Sequence, residues 1–318
     1  MYPLLLKGAV KDYIWGGTRL KDEFGFETED EKAAEAWVFS CHKDGESIVR
    51  NGKFAGLTLS EAVSRMGGTA LGSNAEKFEY FPLLIKFIDA KDRLSVQVHP
   101  DDRYALENEG EYGKTEIWYI IDADEDAKLI YGLNREISRD EFERRIKTNT
   151  LSEVCNFVPA KKGDVFFISA GTLHAIGKGL LIAEIQQNSN STYRVSDYGR
   201  LGADGKPRAL HIDKAVAVTK TCPPEEEYGN VGELTLYPFG LVRTLAECDL
   251  FTAELLSLNG NAGMCQEDSF LSLVVLDGGA VLSYPEGNIR LKKGDSLFIP
   301  AGLRFALSGR AEIICTRV

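Results

Sequence analysis

No two of the six cysteines stand at CxxC spacing, which excludes a zinc ribbon and a thioredoxin-type redox motif. Cys41, Cys155, Cys222, Cys248, Cys265 and Cys315 lie scattered in apolar or loop contexts and read as reduced, mostly buried thiols. No apolar run reaches the ~18 residues that a membrane-spanning helix needs. The apolar run within Met1–Lys7 is too short for a secretory leader, so the reading points to the cytoplasm. Basic residues are the minority, 37 against 48 acidic ones, giving a net charge of −11. Such a chain repels nucleic acid and anionic membrane, so neither is an expected partner. Its acidity does not exclude an anionic small molecule, because a few converging Lys and Arg can hold a phosphate.

The 318 residues are 44% hydrophobic and 27% charged, an ordinary globular composition. A chain of this length can bury its core without disulfides or a structural metal, so a metal here would be functional. Most periodic segments read as short strands: Ala36–Ser40, Phe81–Ile88, Leu94–Val98, Ile117–Ile121, Leu129–Tyr131, Val165–Ser169 and Leu180–Gln186. The same texture continues through Val242–Leu245, Phe251–Leu258, Phe270–Leu276, Ala280–Ser283, Ser296–Ile299 and Glu312–Thr316. Helical spacing is confined to Ser60–Met66, Asp101–Glu109, Ser138–Lys147 and His211–Val218. Many short strands with frequent turns predict a β-sandwich or barrel. Thr221–Glu233, with Pro223-Pro224 and three consecutive glutamates, has linker chemistry.

An internal repeat sharpens this. Lys161–His174 aligns without gaps to Lys292–Phe305, with about half the positions identical. Each copy reads as a Gly-Asp turn, an apolar strand and an Ala-Gly turn. Two copies of one β unit predict two similar β domains. His174 of the first copy corresponds to Phe305 of the second, so the first copy reads as a working site and the second as degenerate. Both positions being core residues is the competing explanation.

The chemistry-bearing residues fall in four clusters. On a strand, Ser95, Gln97 and His99 share one face at steps of about 6.6 Å, while Val96 and Val98 take the other. A polar lumen explains that inverted pattern, and a solvent-exposed face is the alternative. Glu116 enters an aromatic, β-branched strand. His174 ends the repeat, and Glu184–Arg194 is a run dense in hydrogen-bonding groups. Of only four histidines, His99 and His174 lie in these clusters, and His42 and His211 read as surface residues. His99, Glu116 and His174 compose a His₂Glu set suited to a catalytic zinc, with Gln97 able to add an amide oxygen.

These blocks carry a resemblance. Gly163 through His174 resembles the second cupin motif, and Gln97, His99 and Glu116 stand where cupins place the ligands of their first motif. Ile14–Gly17, Ala34–Trp37, Phe81–Lys86, Leu94–Asp102, Gly113–Tyr119, Gly171–His174 and Tyr193-Arg194 together resemble the type I mannose-6-phosphate isomerases of the short bacterial kind. They run in order over about two-thirds of the chain. Ser169 departs from the proline usual in the motif, whereas Pro300 keeps it in the degenerate copy.

The resemblance implies a mainly β fold of two cupin-like, jelly-roll β-barrel domains with few short helices, the second barrel degenerate and metal-free. The catalytic unit would span 1–222 and the C-terminal unit 223–318. It implies one zinc ion, with other divalent metals as alternatives, at Gln97, His99, Glu116 and His174. It implies an active-site arginine at Arg194, with Ser95 and Lys86 near the phosphate of a sugar-phosphate substrate. A structural salt bridge from Arg194 to Asp197 is the alternative for the arginine. The general base stays open among Glu184, which shares strand parity with Gln186, Lys114 and a metal-bound water. Another metal cupin enzyme, or a non-catalytic sugar-phosphate-binding cupin, is the competing function. Oligomeric state is not legible.

Overall fold

The computed structural model describes residues 1–202 and 205–318. Three antiparallel sheets account for most of the regular structure. A six-stranded sheet runs in the order Val165–Ile168, Glu116–Ala123, Leu180–Gln187, Leu83–Ala90, Glu35–Phe39, Ala9–Lys11. A five-stranded sheet runs Tyr193–Ser196, Val96–Val98, His174–Ala175, Lys128–Leu133, Cys155–Pro159. The nine-stranded sheet gathers every strand after residue 230 and adds Leu4–Lys7 and Ile48–Val49. The N-terminal strand therefore pairs in register with Ser296–Ile299.

The six-stranded sheet forms the middle layer. One face, with Phe39, Ile85, Phe87, Ile117 and Ile185, packs on Leu4, Phe270, Phe298 and Ile314 of the nine-stranded sheet. Burying each of these large side chains contributes about 1.5–3 kcal/mol. Its other face meets the five-stranded sheet through Ile88, Trp118, Ile120, Phe166 and Ile182 against Leu129 and Tyr131. At one end of that interlayer the apolar pairs give way to charged ones, and the candidate site lies there. The outer face of the five-stranded sheet is partly covered by the helices Arg139–Lys147 and Ile212–Val218, through Phe142, Ile146 and Ala215.

The fold is mainly β with few helices, as expected, but the expected barrels are not closed. Hydrogen bonds run within each sheet, and the layers meet by side-chain packing, which leaves the sheet edges open. The four expected helices form, capped by Thr58, Asp101 and Ser138 side chains at the first three. Thr58 and Glu61 make a reciprocal capping box.

Both repeat copies fold alike. Lys161 N–H donates to Asp164 Oδ2 at 2.8 Å, and Lys292 N–H donates to Asp295 Oδ2 at 2.9 Å. Gly163 and Gly294 each adopt φ +88°, a conformation that a Cβ disfavours. His174 lies in the interlayer, whereas Phe305 is buried in the apolar core of the nine-stranded sheet. Thr221–Glu233 is not a loose tether. Tyr228 stacks on Phe166 at 5.4 Å, and Gly229 exchanges backbone hydrogen bonds with Val165. The six cysteines are unpaired, but only Cys155 and Cys315 are buried. Cys222, in the segment after the helix Ile212–Val218, and Cys265, just past the strand Thr252–Met264, are exposed.

Candidate metal centre and cavity

Strand register assembles the site from two sheets. In the five-stranded sheet His174 pairs with Gln97, and Gln97 pairs with Arg194, so the three lie in one row. In the six-stranded sheet Glu184 pairs with Lys86 on one side and Trp118 on the other, and Gln186 pairs with Glu116. The two rows face each other across the interlayer.

His99, Glu116 and His174 bring one ligand atom each to within 4.8 Å of one another. His99 Nε2 is 3.7 Å from Glu116 Oε2, and His174 Nε2 is 3.6 Å from Glu116 Oε1. Each ring is oriented from behind. Nδ1 of His99 donates to the Ser191 carbonyl at 2.8 Å, and Nδ1 of His174 donates to the Thr172 carbonyl at 2.9 Å. A carbonyl can only accept, so both tautomers leave the Nε2 lone pairs directed at the common centre. Burial, aided by the charge on Lys114, holds His174 down at about 4. Burial, then Lys114 and His174, hold His99 well below its usual value. Neutral imidazoles are what a metal requires. Gln97 lies beside them, its side-chain amide 3.3 Å from His174 Nε2.

The centre fits a divalent cation on two further observations. Glu116 Oε1 is fully buried and has no hydrogen-bond partner. The buried ionisable groups around it are Lys86 and Lys114 against Glu35, Glu116 and Glu184, an excess of one negative charge. Burying such an excess is costly unless a cation joins it.

Lys114 and Glu184 bridge the triad to the cavity. The Lys114 ammonium contacts Glu116 Oε2 and lies 3.2 Å from His99 Nε2 and 3.5 Å from Glu184 Oε1. Trp118 Nε1–H donates to Glu184 Oε2 at 2.9 Å, leaving Oε1 to Lys86 at 3.0 Å. Burial and the neighbouring Glu184 charge push Glu116 up, against the pull of Lys114. Burial also acts to raise Glu184, but Lys114 and then Lys86 outweigh it and hold the carboxylate ionised. Lys86 is further enclosed by Glu35 at 3.7 Å and the Trp37 ring at 5.1 Å.

A cavity of about 300 Å³ opens beside this cluster. Ser95, Gln97, Lys86, Lys114, Glu184 and Arg194 all line it. Ser95 Oγ donates to Gln97 Oε1 at 3.2 Å. Arg194 does not pair with Asp197, which instead receives Arg208 at 2.7 and 2.6 Å and Arg200 at 2.5 Å. The Arg194 guanidinium donates to the Ala209 carbonyl at 3.0 Å, and its Nε is buried without a partner.

His42, expected at the surface, is buried. Its Nε2 lies 3.1 Å from Glu111 Oε2, because the turn after Glu35–Phe39 folds it against Glu111. His211 is half-buried and accepts the Arg194 backbone N–H at 3.1 Å. Sequence reasoning assigned no role to Tyr13, Glu35 or Arg208, which also line the cavity. Glu35 had a signal, a carboxylate between alanines in a buried strand. Arg208 had none, since it arrives on a loop that only tertiary contacts place.

Comparison with known proteins follows the same outline. A family profile described as phosphomannose isomerase type I, catalytic domain, matches residues 4–130. One described as mannose-6-phosphate isomerase, cupin domain, matches residues 242–318. The chain is 40% identical over 321 residues to the mannose-6-phosphate isomerase ManA of Bacillus subtilis, covering 99% of each. It is 40% identical over 316 residues to a mannose-6-phosphate isomerase of Streptococcus mutans, covering 99% of this chain and 98% of the relative. The crystal structure of a Bacillus subtilis mannose 6-phosphate isomerase superposes with a TM-score of 0.92 at 37% identity, over 100% of both chains. An Archaeoglobus fulgidus structure, a putative mannosephosphate isomerase, shares the fold at a TM-score of 0.79 and 24% identity, over 99% of this chain and 96% of that one.

Proposed function

With this chain a member of the type I phosphomannose isomerase family, we propose that it interconverts D-mannose 6-phosphate and D-fructose 6-phosphate. The observation that carries the reading is a cavity lined by Gln97, Lys114 and Arg194 with a buried His₂Glu triad beside it, Lys114 bridging the two. In this reading the ion is zinc, held by Gln97, His99, Glu116 and His174, and the protein is cytoplasmic. No described helix is long and apolar enough to cross a membrane.

Aldose–ketose isomerisation moves one proton between C2 and C1 and another between O1 and O2. When bound, the ion would polarise a sugar oxygen and lower the cost of an enediolate. The residues of the chain supply the rest. Lys114 lies between the triad and Glu184, within reach of both. In this reading its ammonium first passes a proton to Glu184, so that the free amine can take and return a proton at the reacting carbons. Glu184 is fixed by Trp118 and held ionised by two lysines, so it orients Lys114 and takes up a proton only transiently. Arg194 presents a fixed fork of donors to the cavity and stabilises the oxyanion as it develops. Ser95 and Lys86 line the same cavity, and in this reading they bind the phosphate of the sugar. The unit 1–222 carries all of these groups, and 223–318 is the degenerate second unit.

The test is a coupled assay for fructose 6-phosphate from mannose 6-phosphate, before and after chelation, with zinc added back. Loss on chelation and recovery with zinc is the expected result. No turnover by freshly purified, metal-loaded protein overturns the assignment.

A further inference from the structure

A second concavity, about 680 Å³, lies on the outer face of the five-stranded sheet. Its floor is Val96, Ile130, Ala175 and Val195, all buried, and Ile176 lines both this concavity and the first cavity. Val96 adjoins Gln97 in the chain, Ala175 adjoins His174 and Val195 adjoins Arg194. Strand alternation sends each pair to opposite faces, so this concavity backs onto the catalytic cavity through a single layer.

Three observations give it a ligand chemistry. Its charged lining residues are the exposed cations Arg93, Lys128 and Lys178 against one carboxylate, Asp126. This local positive excess stands out in a chain of net charge −11. The floor beneath the cations is apolar and large enough for an aromatic ring system. Asn149 and Tyr198, the non-glycine residues with left-handed φ (55° and 57°) among the described residues, both line it. Strained backbone of this kind clusters at ligand clamps. Tyr198 is held there by the Arg93 guanidinium, 3.7 Å above its ring.

We propose that this concavity binds a small amphiphilic anion, an apolar ring or chain bearing one carboxylate, sulfonate or phosphate, and that its occupancy alters sugar-phosphate binding on the other face. The link is short. Tyr198 follows Asp197, whose buried carboxylate holds Arg208, and Arg208 lines the catalytic cavity. The binding half is independent of the isomerase reading, and the coupling half rests on it.

The probe is 8-anilinonaphthalene-1-sulfonate, titrated by fluorescence into the full-length protein. The expected result is saturable binding of one probe per chain that persists at saturating mannose 6-phosphate, its affinity shifted by the same factor as that of the sugar phosphate. Lys128→Glu with Lys178→Glu is expected to weaken it about tenfold or more. Ser152→Trp, at an exposed lining position, is expected to block it by filling the concavity. Absence of saturable binding, equal binding in both variants, or complete competitive displacement by mannose 6-phosphate overturns the site. For the coupling, the probe is expected to shift KM for mannose 6-phosphate in the parent protein and not in the double variant. An unmoved KM at saturating probe overturns the coupling and leaves the binding result intact.

Discussion

The carbonyl oxygen of Ser191 accepts a hydrogen bond from Nδ1 of His99 at 2.8 Å. Ser191 is itself fixed by Glu111, whose Oε1 accepts from its hydroxyl at 2.6 Å, from Ser189 Oγ at 3.3 Å and from the Asn190 backbone N–H at 3.2 Å. His42 supports the other carboxylate oxygen. A triad imidazole is thus oriented through a turn that one carboxylate holds.

Glu111→Ala should therefore weaken metal binding without removing a ligand. Groups that orient a ligand from behind typically account for 10–100-fold in affinity. Competition against a chromogenic chelator measures this, and Glu111→Gln, which keeps an acceptor oxygen, should recover part of the loss. Unchanged affinity in Glu111→Ala would make the turn self-supporting.

Glu116→Gln and His174→Ala should lose bound metal and isomerase activity together, the rate falling by at least about 100-fold. Metal analysis alongside the coupled assay reads both. Full activity in a metal-free His174→Ala protein contradicts the centre.

Arg194→Ala should keep its metal and lose turnover, by roughly 10²–10³-fold in kcat, because it removes donors from a developing oxyanion. Metal loss in this variant would make the arginine a structural group.

Lys86→Met should cost about 3–5 kcal/mol of stability, since it leaves Glu35 and Glu184 buried without their shared cation. Denaturant unfolding of the metal-loaded protein measures it. A change in KM alone would give Lys86 a purely substrate-binding part.

Acid stability carries its own signature. Burial acts to raise Glu111, but hydrogen bonds from His42 and Ser191 prevail and hold it at about 2, below its ordinary 4.5. A depressed carboxyl stabilises the fold fully above its unfolded value and loses that contribution as pH falls through the folded one. The melting-temperature gap between the parent and Glu111→Gln should hold steady above about pH 5 and narrow toward pH 2. A gap independent of pH across that range would show that the ionised carboxylate does not matter.

The amino-acid sequence by itself determined the element types, the repeat and the candidate ligands. Val165–Ile168 and Ser296–Ile299 form on short apolar runs bounded by turn chemistry, which act over a few residues. His99, Glu116 and His174 were legible as candidate ligands because ligand chemistry permits few residue types, and strand parity puts Gln97 opposite Val96 and Val98. Tertiary structure decided the rest. Leu4–Lys7 joins the sheet of the distant C-terminal strands, and an open sheet edge that far along the chain leaves no local trace. His42 is buried because Glu111, 69 residues away, receives it. A bond from Arg194 to Asp197 was the alternative open in the sequence, but Arg200 and Arg208 occupy that carboxylate and Arg194 faces the cavity. These outcomes turn on which groups meet across layers, and pairing between layers is set by packing and register rather than by any residue's own neighbours in the chain.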